Sequence, residues 1–179
     1  MATEKFKALT HFIMHECADN PSRLGATRLN KALWHADVLA YRATGMSVTG
    51  DKYVKRQNGP VPAEILATIR ELASENKILV QEPEAQYDPR KFISLEKPDT
   101  SSLSENEMEI ARFAISHVCS KTTTEVSNET HDIIWDAAKI GEPIPMEAML
   151  AGASGEITAD VADWALAAIE SRNLRVGAQ

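Results

Sequence analysis

The segment between Gly45 and Pro62, which contains SVTGDKYVKRQNGPVP, most constrains the fold, because its glycines and prolines interrupt what is otherwise a run of helical patterns. Thr49-Gly50-Asp51 signals a turn, Tyr53-Val54-Lys55-Arg56 has strand propensity, and Asn58-Gly59-Pro60 signals a second turn. Pro62 suits the first residue of a further helix, where a missing N–H costs nothing. The expected class is mainly α with a small β-hairpin, an α+β fold built as a compact single-domain helical bundle.

The flanking segments supply the helices. Phe6, Leu9, Ile13 and Cys17 make one apolar stripe over Thr3 to Asn20, with Thr3 placed to cap it. His11 and His15 lie four apart on its flank and read as solvated surface histidines. A second helix runs from near Thr27 to Gly45, its core stripe formed by Leu29, Leu33, Ala36 and Ala40. Beside that stripe stand Asn30, Trp34, Asp37 and Tyr41, either a hydrogen-bonded inner layer or a recognition face, since Trp and Tyr join apolar area to a polar tip. A third helix from Pro62 to about Asn76 buries Ile65, Leu66, Ile69 and Leu72. Lys77 to Glu82 and Lys91 to Glu96 form a hairpin around a loop with Pro83, Tyr87 and Pro89.

Ser104 with Glu107 is a capping box that opens a helix to about Ser120, with Met108, Ala111, Ile115 and Val118 inward. Two short helical pieces follow, broken around Asn128 to His131, and Thr130 is placed to cap the second. Trp135 shares a face with His131; this histidine either bonds across the helix break or contacts a ligand or partner. Met146 to Leu150 reads as a last turn, Gly152 to Gly155 as a joint, and Thr158 to Asn173 as a helix. Residues 1–150 are expected to form one domain, with a C-terminal helix in 151–179 packed on it.

Charge narrows the function. Nineteen basic against 26 acidic side chains leave a net charge of −7, which opposes a nonspecific grip on nucleic acid or anionic lipid. No uncharged stretch runs much past about eight residues, far short of a membrane span, so the chain reads as cytoplasmic. Cys17 and Cys119 have no metal-ligand spacing and read as two buried thiols, and no cofactor or metal is expected. Nucleophile elbows, phosphate loops and dinucleotide turns are absent from the sequence, so it is not expected to be an enzyme.

One ordered set of segments stands out. Leu29-Asn30-Lys31, Leu33 to Asp37, Tyr41 to Gly45, Thr49 to Arg56 and Gly59-Pro60-Val61-Pro62 are followed by Thr123 to Glu125, Thr130-His131, Trp135 and Gly141 to Pro145. This set resembles the Panacea domain family of SocA-like antitoxins, also met in GepA-like phage proteins. Asn58 and His35 stand where that family commonly has aromatic residues.

The resemblance implies a mostly helical domain that neutralises a cognate protein toxin by direct contact, and that acts in some systems as an adaptor delivering it to an energy-dependent AAA+ protease. The candidate partner-binding residues are Trp34, Asp37, Tyr41, Tyr53, Lys55, Arg56, His131 and Trp135, read from the aromatic–polar stripe, the basic-aromatic segment and the His131/Trp135 face. Tyr53, Lys55 and Arg56 form either a basic-aromatic patch that docks an acidic feature of the toxin or a structural hairpin with Tyr53 turned inward. The rival reading is a winged-helix DNA-binding regulator, made of the helix Pro62 to Asn76 and the hairpin after it. Glu64, Glu71 and Glu75 against Arg70 alone give that helix the wrong sign for a phosphate-lined groove.

Overall fold

The computed structural model describes residues 3–85, 88–131 and 133–148. The chain order is α1 (Glu4–Glu16), a short 3-10 turn (Pro21–Arg23), α2 (Gly25–Thr44), β1 (Tyr53–Arg56), β2 (Gly59–Pro62) and α3 (Ile65–Ser74). Then come β3 (Ile78–Gln81), β4 (Lys91–Ser94), α4 (Glu105–Cys119), α5 (Thr123–Glu129), α6 (Ile133–Ala137) and β5 (Pro143–Ile144). The mainly helical α+β class is as the patterning predicts. The C-terminal helix and its joint lie outside the described residues, as does Tyr87.

The core forms where α2 crosses α1 and α4. Phe6, Leu9 and Ile13 of α1, Leu29, Leu33 and Ala36 of α2, and Ala111, Ala114 and Val118 of α4 are all fully enclosed there. Alanines on two of these helices permit close approach, so α2 and α4 make the most extensive helix pair. Helix ends are closed by the expected devices. The Thr3 side chain accepts from the Phe6 N–H, Ser104 and Glu107 form a reciprocal capping box, and Thr122 with Glu125 forms another.

Two small antiparallel sheets flank the helices. One is β3 with β4; the other has the order β2-β1-β5. Pro60 and Pro62 sit in β2 and Pro143 in β5, both edge strands, where a missing N–H leaves no ladder bond unmade. Pro62 therefore closes β2, and the third helix begins at Ile65 rather than at Pro62. Its buried face is Ile65, Thr68, Ile69 and Leu72, spaced i, i+3, i+4, i+7, and Leu66, about 100° round the helix from Ile65, is exposed.

His11 is also corrected. It is buried, with Nε2 3.1 Å from the Ser94 hydroxyl, and His15 Nδ1 lies 3.1 Å from the same oxygen. Strand β4 crosses α1 at this point and removes the histidines' flank from water, which the helix pattern alone does not show. Cys17 is buried and Cys119 half-buried, both as free thiols. Among the described residues, no helix is long and apolar enough to cross a membrane.

Candidate functional site

One face of α2, the β1–β2 hairpin and the α5–α6 break converge on a single region. It is built in three parts.

The first part is a buried carboxylate. Asp37 accepts from the Thr49 N–H at 2.9 Å, from the Tyr53 hydroxyl at 2.8 Å and from the Thr49 hydroxyl, so it ties the loop after α2 and strand β1 to the helix. Burial pushes its carboxyl above the usual range, and these donors oppose the shift. The Tyr53 ring meets Trp34 edge-on, with centroids 4.8 Å apart, and both pack with Val38 and Ile144. Trp34, Asp37 and Tyr53 thus form an inner layer. Tyr41 is half-buried one turn further along α2.

The second part lies beneath β1. Lys55 is buried, its ammonium 3.7 Å from the centroid of the Trp135 ring, and His131 stacks on Trp135 at 3.9 Å with 13° between planes. Burial, with the nearby Lys31 and Lys55 charges, holds the His131 imidazole below its usual range. A neutral ring can stack there without repelling Lys55. Backbone bonds fix the strand in place: the Lys55 N–H donates to Glu142 O at 2.8 Å and the Gly141 N–H to Lys55 O at 2.9 Å.

The third part is a buried cation. Lys31 is 1% exposed, and its ammonium donates to the Thr130 hydroxyl, which in turn donates to Ser127 O at 2.9 Å. Burial lowers the Lys31 amine to about 8. Gly59 covers it, with φ of 109°, a backbone conformation that favours glycine. Thr130 is the C-cap residue of α5, so it closes the helix before the break instead of opening the one after it.

Tyr53, Lys55 and Arg56 do not make one surface patch. Residues two apart on a strand share a face and adjacent ones do not, so Tyr53 and Lys55 point inward together and Arg56 points out. Arg56, Gln57 and Asn58 crown the hairpin, exposed, beside a cavity of about 300 Å³ that Thr27 and Asn30 also line.

A family model described as antitoxin SocA-like, Panacea domain, matches residues 29–136. The chain belongs to this antitoxin family. No curated protein and no solved structure matches it. The matched span of the Panacea domain starts two residues before Lys31 and ends one after Trp135, so it holds the whole hairpin and the Lys31, Trp34, Asp37, Thr130, His131 and Trp135 side chains that pack on or beneath it. It leaves out α1 and β5, which supply core and a third strand.

Sequence reasoning passed over Lys31 as a site residue. Its signal is a cation at i, i+3, i+7 with the apolar Trp34 and Val38. It also passed over His35, His117 and Glu129, whose donor atoms lie within 4.8 Å of one another and could hold a metal ion.

Proposed function

We propose that this Panacea domain neutralises a cognate protein toxin by direct, non-catalytic contact, and that the toxin docks an acidic feature against the hairpin crown at Arg56. The observation that carries the reading is the contrast between crown and base. Arg56, Gln57 and Asn58 are exposed, while Gly59, Lys55 and Tyr53 beneath them are locked onto Lys31, Trp135 and Asp37. A rigid base lowers the ordering cost of binding, and an exposed guanidinium on a chain of net charge −7 gives direction to the encounter. On this reading Trp34, Asp37, Tyr53 and Lys55 hold the surface from below, and the toxin touches Arg56, Gln57, Asn58 and the neighbouring cavity.

The test is co-expression with the product of the adjacent reading frame, scored by growth and by co-purification. Neutralisation predicts that the neighbour is toxic alone, is rendered harmless by this chain, and is released by Arg56→Glu. A neighbour that is harmless alone, or toxic whatever this chain does, overturns the reading. Delivery to an AAA+ protease predicts in addition that the toxin's half-life shortens only when this chain and a cellular unfoldase are both present; an unchanged half-life leaves sequestration alone.

The DNA-binding alternative gains little support. Glu71 of α3 and Glu75 at its C-cap both pair with Lys7 of α1, so α3 is pinned to the core helix by acidic residues and offers little cationic surface to phosphates.

A further inference from the structure

His35, His117 and Glu129 come from three different helices, α2, α4 and the end of α5, and none belongs to the hairpin site. Their donor atoms all lie within 4.8 Å of one another. His117 Nε2 is 2.9 Å from Glu129 Oε2, and the His35 and His117 rings meet edge-on with centroids 5.0 Å apart. His35 Nε2 is buried and has no hydrogen-bond partner among the described residues. Leaving such a nitrogen unpaired is unfavourable, and a bound ligand removes that cost.

Two imidazoles and one carboxylate are the donor set of a zinc-type site with one open position. In such a site, bonds of about 2.0–2.1 Å place tetrahedral donors roughly 3.4 Å apart. The His117 Nε2 to Glu129 Oε2 separation of 2.9 Å lies just below that value, and no donor atom of the three is more than 4.8 Å from another. Nitrogen donors select zinc, cobalt or nickel over magnesium or calcium, which take oxygen shells. His117 and Glu129 each keep about a third of their side-chain surface exposed, at 32% and 34%, which gives an ion a way in.

We propose that His35, His117 and Glu129 bind a single divalent transition-metal ion of the zinc class. Lys121 stands beside two of the three ligands. Its ammonium lies 3.3 Å from His117 Nε2 and pairs with Glu129, so it is the protein's own cation on two of the three ligands, and metal entry swings it outward. The bound ion ties α2, α4 and α5 together. Because Glu129 adjoins Thr130, the acceptor of the buried Lys31 ammonium, the ion also stiffens the base of the hairpin.

The full chain, stripped with a chelator, is titrated with Co²⁺ and followed by its visible ligand-field bands, with Zn²⁺ competition and thermal unfolding alongside. One equivalent is expected to bind, bring up bands of tetrahedral intensity and raise Tm. His117→Ala and Glu129→Gln, both at partly exposed positions, should each weaken binding by more than about 100-fold, beyond the usual effect of removing an outer-shell partner. Lys121→Met should tighten it by removing the competing cation, and His15→Ala should leave it unchanged. Absence of the bands, binding that survives both ligand substitutions, or a sulfur-to-cobalt charge-transfer band that places the ion on the thiols would each overturn the proposal.

Discussion

Gly59 and Lys31 are in direct contact: a Cβ on Gly59 would sit 1.9 Å from the Lys31 ammonium nitrogen and 2.5 Å from the Thr130 hydroxyl. The hairpin comes this close to α2 only because residue 59 has no side chain. Gly59→Ala must displace a fully buried lysine and also hold a non-glycine residue at φ of 109°. Its expected cost is at least about 1–3 kcal/mol, read as a lower urea midpoint at unchanged slope.

Lys31 makes stability depend on pH. Its amine falls from 10.5 to about 8 on folding, so between those values the unfolded chain holds more protons and stability rises with pH. The contribution is complete above about 10.5 and is lost as pH falls through about 8. The full span is worth roughly 3 kcal/mol. Lys31→Met keeps the volume, removes the charge and should flatten this slope, measured as the difference between the wild-type and variant urea midpoints across the window.

Tyr53→Phe deletes one donor from the buried Asp37 carboxylate and leaves the ring against Trp34. The expected loss is about 1.5–3 kcal/mol of stability, the range for a hydrogen bond to a charged group. With one donor gone, burial pushes the Asp37 carboxyl further up. Toxin affinity of the folded variant should stay close to wild type, because Tyr53 supports the hairpin from inside; a large affinity loss at unchanged stability would make Tyr53 a contact residue.

Arg56→Glu reverses the pattern. The side chain is exposed at the crown, so Tm should hold to within the effect of about 0.5 kcal/mol usual for surface changes. Toxin binding should weaken by more than about 1 kcal/mol, seen by calorimetry, through a lower association rate more than through a higher dissociation rate.

The helices were legible because their determinants are local. Phe6, Leu9 and Ile13 recur at helical period, Ser104 and Glu107 bond within one turn, and Gly45 closes α2 in the left-handed conformation with φ of 76°. The turn residues around Gly59 likewise announced a β element. Boundaries held less well where a residue suits two roles. Pro62 is equally at home opening a helix or closing an edge strand, and pairing with Tyr53 decided between them.

The chain's own pattern therefore determined the mainly helical class, the hairpin and the ordered segments that mark the Panacea domain. Tertiary structure alone decided which polar groups lose water. Lys31 meets Thr130 across 99 positions, Lys55 turns under Trp135, and His35 meets His117 and Glu129 from separate helices. Local propensity acts over a few residues, whereas the desolvation that lowers the Lys31 amine depends on which distant segments close over it. That closure separates an exposed Arg56 from a buried Lys55 one residue away.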